Sequence, residues 1–153
     1  AANVYGPGQP LYRIISRALL LARTGNKLSL DGGGKSIRSF IHIEDVVLAT
    51  FKIMLDGKVG SCYHISTNDL ITIKDLVNKI SDLTNINFNE FVKMSPERMG
   101  KDSAYMLDSS FLRSDLNWNP KIDLDRGLSD TLEWIDKNLQ DLKKQPINYE
   151  HKK

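Results

Sequence analysis

Three polar side chains in this sequence sit where apolar patterning does not explain them, and each could meet a ligand. Arg38 lies between the turn Gly32-Gly33-Gly34 and the apolar pair Phe40-Ile41. A strand-borne guanidinium beside flexible backbone suits a diphosphate, because arginine grips phosphate oxygens in a bidentate fork. The plainer reading is a surface arginine at a strand start, paired with Glu44 or Asp45, and the residues alone do not separate the two. Asn3, in Asn3-Val4-Tyr5-Gly6-Pro7-Gly8, carries an amide able to donate and accept toward a ligand. Local chemistry favours a simpler role, a turn asparagine bonding its own backbone. Arg98, in Pro96-Glu97-Arg98-Met99-Gly100, offers a second cation, with Gly100 permitting close backbone approach. Taken alone, that segment is a charged loop ahead of a helix.

Other chemistries find little support. His42, His64 and His151 have no cysteine or carboxylate partners at zinc spacing. Cys62 is the single cysteine, which rules out an intrachain disulfide framework and predicts a reducing, cytoplasmic setting. With 21 basic and 19 acidic residues and no basic run beyond a Lys-Lys pair, a nucleic-acid or membrane-surface footprint is not indicated. The longest apolar run, Ala18 to Ala22, is far too short to span a bilayer. At 41% hydrophobic and 26% charged over 153 residues, the composition is that of one ordinary soluble domain. The opening Ala1-Ala2-Asn3, without an initiator Met, reads as a piece of a longer chain.

The elements that must position these groups alternate between strand and helix. Leu11 to Thr24 has helical apolar spacing, with Gly25 at the capping position. Lys27–Leu30 and Ile37–Ile43 read as strands on either side of the Asp31–Gly34 turn. A helix is predicted over about Asp45–Leu55, stopped by Gly57, and a short strand over Ser61–Ile65. Thr72 caps an amphipathic helix carrying Ile73, Leu76, Val77, Ile80 and Leu83, with Asp75 completing a capping-box variant. Asn87–Val92 reads as a strand, and Asp108-Ser109 opens a short helix ending near Leu116. Asp123 caps a last helix with a stripe at Leu124, Leu128, Leu132, Ile135 and Leu139. Residues 1–144 form the domain, and 145–153 are a polar, frayed tail.

Taken in order, these segments resemble the C-terminal, substrate-binding portion of extended short-chain dehydrogenases, the NAD-dependent epimerase/dehydratase family. Asn3-Val4-Tyr5-Gly6-Pro7 is similar to the family's Arg-x-x-Asn-x-Tyr-Gly-Pro motif without its leading Arg. Gly32 to Val46 resembles Gly-x-Gly-x-x-x-Arg-Asp-Phe-Ile-His-Val-x-Asp-Val, with Ser39 in place of Asp. Tyr63-His64-Ile65-Ser66 resembles a Tyr-Asn-Ile-Gly strand, with His and Ser substituted. Arg98-x-Gly100-x-Asp102-x-x-Tyr105-x-x-Asp108 resembles a segment of the dTDP-glucose 4,6-dehydratases, and Tyr105 to Ser110 is similar to CDP-glucose 4,6-dehydratases. The similarity runs along nearly the whole chain up to the tail.

The resemblance implies an α/β fold, the end of a doubly wound Rossmann-like sheet plus a small mixed substrate lobe. It implies a nucleotide-diphospho-sugar as partner, and NAD as the cofactor of the intact enzyme. Asn3 and Arg38 would hold the diphosphate, Arg98 the diphosphate or ribose. Thr72 would lie near the nucleotide, and Leu30 and Asp31 would pass the base along their backbone. The family's Gly-x-x-Gly-x-x-Gly turn and Tyr-x-x-x-Lys pair do not occur as such. Tyr12, Tyr63 and Tyr105 are followed four residues on by Ser16, Thr67 and Ser109, and only tail residue Tyr149 is followed by a lysine, Lys153. The expectation is a nucleotide-sugar 4,6-dehydratase portion that is inactive by itself. A UDP-sugar 4-epimerase, or a non-catalytic binding module, is the alternative. A homodimer or self-associated fragment is also expected, through a face including Ile14, Val46, Ile53 and Ile65.

Overall fold

The computed structural model describes residues 1–97, 100 and 102–149. In chain order it contains β1 (Asn3–Tyr5), α1 (Ile14–Arg23), β2 (Leu28–Asp31), β3 (Ile37–His42), α2 (Ile43–Asp56), β4 (Leu70–Thr72), α3 (Ile73–Thr84), α4 (Phe88–Phe91), β5 (Val92–Ser95), β6 (Ala104–Tyr105), α5 (Ser110–Leu116) and α6 (Leu124–Leu142). A three-residue 3-10 turn, Gly32–Gly34, follows β2. β3 is the hub of the main sheet. Its second half pairs in parallel with β1, Asn3 opposite Phe40 and Tyr5 opposite His42. Its first half pairs with antiparallel β4 and parallel β6. β2 and β5 form a separate parallel pair. The mixed α/β architecture is the one expected.

Successive side chains of a strand point to opposite faces, and β3 uses this to feed two cores. Phe40 joins Tyr5 and the inner faces of α1, α3 and α6. Ile41 joins Ala2, Ala49, Ile65, Leu112, Leu116 and Trp118 under α2 and α5. Ser39, on the Ile41 side and buried, hydrogen-bonds the hydroxyl of buried Ser66 at 2.7 Å.

The helix ends follow the capping chemistry. Thr72 Oγ1 accepts from Asp75 N at 3.0 Å and donates to Asp75 Oδ2 at 2.6 Å. Asp123 Oδ1 accepts from Arg126 N at 2.8 Å at the start of α6. Gly25, at φ 67°, reverses the chain after α1 so that Asn26 N donates to Leu21 O at 3.0 Å.

Four expectations change. Asn87–Val92 is not a strand: Asn87 Oδ1 caps a single turn by accepting from Asn89 N at 2.9 Å, burying Phe91, and the strand begins only at Val92. Ser61–Ile65 forms no ladder among the described residues, because only one amide faces it, Ala2 N donating to Ile65 O at 2.8 Å. The face expected to be exposed is covered: Ile65 is buried, and Val46, Ile53 and Ile14 pack against the two cores. Residues 145–149 are seated rather than frayed. Ile147 packs on the first core, and Tyr149 meets Tyr12 edge-on at 5.1 Å.

Two residues of the recognised motifs hold this architecture together. Asp45, 1% exposed, accepts from Lys121 N at 2.9 Å and Ile122 N at 3.0 Å, tying α2 to the approach to α6. Tyr5 lies edge-on to Phe40 and His42 and points its hydroxyl into α6, 3.4 Å from Asp123 O. Helix α6 can come this close because residue 127 is glycine: a Cβ there would sit 2.1 Å from Tyr5 Oη.

Two outcomes follow, both read by urea denaturation. Asp45→Ala leaves one buried and one part-buried amide without acceptors and should cost about 2–5 kcal/mol, with Asp45→Asn intermediate. Gly127→Ala should destabilise by about 1–2 kcal/mol despite alanine's better helix propensity, because overpacking outweighs it. Tyr5→Phe in the Gly127→Ala background should return part of that loss. Full additivity would show that the phenol is not the obstacle.

Candidate ligand cleft

β1 and the loop after it floor a cleft of about 1030 Å³. Its walls come from the start of α1 and from β3 and β6, with Tyr149 at one side. Three guanidinium groups line it, Arg13 from the N-cap of α1, Arg17 from α1 and Arg38 from β3, and among the described residues no carboxylate lines it. Such a single-sign lining concentrates anions. The α1 N-terminus adds to it, since the first turn carries no acidic residue and its orphan amides present positive charge.

The two best-placed groups are held by the strand that bears or faces them. Arg38 Nη1 donates to Ile37 O at 2.7 Å and Nη2 to Asp102 O at 2.8 Å, which fixes the guanidinium plane and leaves further N–H donors for a ligand. Asn3 Nδ2 donates to Ser39 O at 2.9 Å, leaving the second N–H and the amide oxygen. Across the β3–β6 ladder Tyr105 stands opposite Arg38, and its partly exposed ring also lines the cleft. Arg17 donates to Asn148 Oδ1 at 3.3 Å, while its buried Nε has no hydrogen-bond partner among the described residues.

Of the six residues singled out in the sequence, Asn3 and Arg38 meet in this cleft. Thr72 does not line it, and its hydroxyl is committed to capping α3. Leu30 is buried in the first core, and Asp31 accepts from Ser95 Oγ at 2.6 Å, so neither side chain reaches the cleft. Arg98 lies outside the described residues. Sequence reasoning passed over Arg13, Arg17 and Tyr105 as residues of a cleft. The available signal was two like charges at i and i+4 just after a Gly-Pro loop, an arrangement that repels on a helix unless an anion sits between them.

Acid–base machinery is a different matter. Tyr5 floors the cleft, but burial, reinforced by the Asp123, Asp45, Asp130 and Asp125 carboxylates, holds its phenol far above the ordinary tyrosine range. It is not a ready proton relay. No group of three or more metal-ligating side chains occurs among the described residues. The glycines Gly32–Gly34 join two strands through a 3-10 turn instead of opening a helix, so they do not fit a dinucleotide pyrophosphate cradle.

Comparison with known proteins gives this cleft a context. The sequence profile of the family described as GDP-mannose 4,6 dehydratase matches residues 2–131. The dTDP-glucose 4,6-dehydratase of Mycolicibacterium smegmatis is 32% identical over 138 residues, 90% of this chain and 41% of that protein. The crystal structure of the Bacillus anthracis dTDP-glucose 4,6-dehydratase in complex with NAD superposes with a TM-score of 0.85 at 28% identity, over 91% of this chain and 44% of that one. The Thermotoga maritima UDP-glucose 4-epimerase with UDP-glucose gives 0.84 at 28% identity, over 90% and 45%. The chain thus spans less than half the length of each of these relatives. With most of its length matched by that family's profile, and with the parallel-stranded α/β fold of dehydratase and epimerase structures, the chain belongs to the GDP-mannose 4,6 dehydratase family.

Proposed function

We propose that this chain is the nucleotide-diphospho-sugar-binding portion of an NAD-dependent nucleotide-sugar 4,6-dehydratase. The observation that carries the reading is the cleft lined by Arg38, Asn3, Arg13 and Arg17, with no carboxylate among its described lining residues. A diphosphate carries two negative charges close together, and its oxygens match guanidinium forks better than ammonium groups. Arg38, already immobilised by two backbone carbonyls, loses little freedom on meeting the ligand. Arg13, at the N-cap of α1, and Arg17, within it, line the same cleft. Asn3 supplies an amide at the floor, and Tyr105 an aromatic wall beside Arg38.

NAD, which is present in the Bacillus anthracis relative, supplies hydride chemistry when bound. The glycine turn and tyrosine of this chain do not fit that role, so no redox step is assigned to its residues. Their part is to hold and orient the nucleotide sugar. Taken alone, the 153-residue chain is inactive. The reducing cytoplasm is the setting in which exposed Cys62 remains a thiol. No helix of the described residues is long and apolar enough to cross a membrane.

A second reading, a UDP-sugar 4-epimerase, is favoured by the near-equal likeness to the Thermotoga maritima enzyme. Both readings use the same anion cleft and differ in chemistry that the residues here do not carry.

Calorimetric titration of the chain with dTDP-glucose and UDP-glucose tests the cleft. Binding should weaken by about 1.5–3 kcal/mol in Arg38→Ala, the worth of a hydrogen bond to a charged group, with thermal unfolding little changed. Unchanged affinity with a large loss of stability would make Arg38 a structural residue. Incubation of the chain with NAD and either nucleotide sugar should give no product, and detectable turnover would overturn the binding-portion reading.

A further inference from the structure

Helix α1 and its N-cap carry three arginines, and the fold holds them in two different ways. Arg23, in the last turn, makes a bidentate ion pair with Asp136 at 2.8 and 3.0 Å, which neutralises it. Arg13 and Arg17 line the cleft and make no ion pair among the described residues. Uncharged groups hold them instead. The Arg13 guanidinium lies 5.4 Å from the centroid of the Tyr12 ring, and Arg17 Nη2 donates to Asn148 Oδ1 at 3.3 Å. Neither partner cancels a charge.

Asn148 is seated from both sides. Before it, Ile147 packs on the first core. After it, Tyr149 meets Tyr12 edge-on at 5.1 Å and itself lines the cleft. Residues 147–149 thus run from the end of α6 to the start of α1 and pin the amide beside Arg17. Arg17 Nε is buried without a hydrogen-bond partner among the described residues. A donor of this guanidinium is therefore out of water with no acceptor, a cost that an anion would relieve. A carboxylate at 148 would grip Arg17 more strongly and remove its charge from the cleft. A residue without a polar side chain would let the long arm swing, and that freedom would be lost again on binding. An amide oxygen avoids both.

We infer that Asn148 is a positioning residue of the cleft: its amide oxygen holds the Arg17 guanidinium in place for a diphosphate without neutralising it. The inference rests on the reading of the cleft as an anion site.

The Arg17 Nε–H resonance of the isotope-labelled chain reports the mobility of this arm before any ligand is added. In Asn148→Ala its heteronuclear NOE should fall, while the melting temperature stays unaltered because Asn148 is exposed. Affinity for inorganic pyrophosphate should drop about three- to tenfold, the effect of releasing one long side chain. Asn148→Asp, of the same size, should keep the NOE high and still weaken pyrophosphate binding, which a purely structural role would not produce. In an Arg17→Ala background, Asn148→Ala should have no further effect. Arg38→Ala is the control for the cleft. If it leaves pyrophosphate binding intact, the anion reading fails and this inference fails with it. If Arg38→Ala loses binding but Asn148→Ala leaves the NOE or the affinity unchanged, the inference alone is overturned.

Discussion

The pleat of β3 is the constraint on which the other parts depend. Arg38 and Phe40 fall on the face toward the cleft and the first core, while Ser39 and Ile41 fall on the face under α2. A one-residue slip of this strand against β1 would drive a guanidinium into an apolar core and bring Phe40 out against α2. The register is held from both sides, by β1 along its second half and by β4 and β6 along its first. Placing a charged cleft residue two positions from a core phenylalanine therefore requires no special device. The same alternation that packs the protein also aims the arginine.

The family-like motifs divide between two physical tasks that a linear pattern does not separate. In Asn3-Val4-Tyr5-Gly6-Pro7, Asn3 faces the cleft, whereas Tyr5 spends its hydroxyl on the backbone of α6. In the stretch around β3, Arg38 turns toward ligand space, whereas Asp45 satisfies two amides of a distant loop. His42, 1% exposed, caps α2 by accepting from Glu44 N at 3.4 Å. Each motif sends one residue to the cleft and commits another to the packing of the fold.

Much of the fold was legible because its helices are amphipathic and its caps are chemically explicit. The Leu76-Val77-Ile80 stripe and the Thr72-Asp75 and Asp123 caps need no tertiary information. The misreadings lie where apolar runs are short. Phe88–Phe91 makes one helical turn, and a single turn has no period to detect. Ser61–Ile65 has strand-like composition, but pairing belongs to the neighbour across the gap, which composition does not contain. In the cleft, Arg38 was half legible: its glycine turn suggested a phosphate group, while a surface ion pair with Glu44 or Asp45 fitted the residues equally well. Arg13 and Arg17 were not legible, because arginines on a helix usually read as a solvated face. Thr72, Leu30 and Asp31 were placed by resemblance, and their side chains answer to the cap, the core and Ser95.

Two positions where this chain departs from the family-like pattern touch each other. Ser39 stands where that pattern has Asp, Ser66 where it has Gly, and their hydroxyls form a 2.7 Å hydrogen bond inside a sealed pocket. A glycine at 66 would leave the buried Ser39 hydroxyl without this partner. The residue that suits position 39 therefore depends on the residue at 66, although the two lie 27 positions apart in the chain.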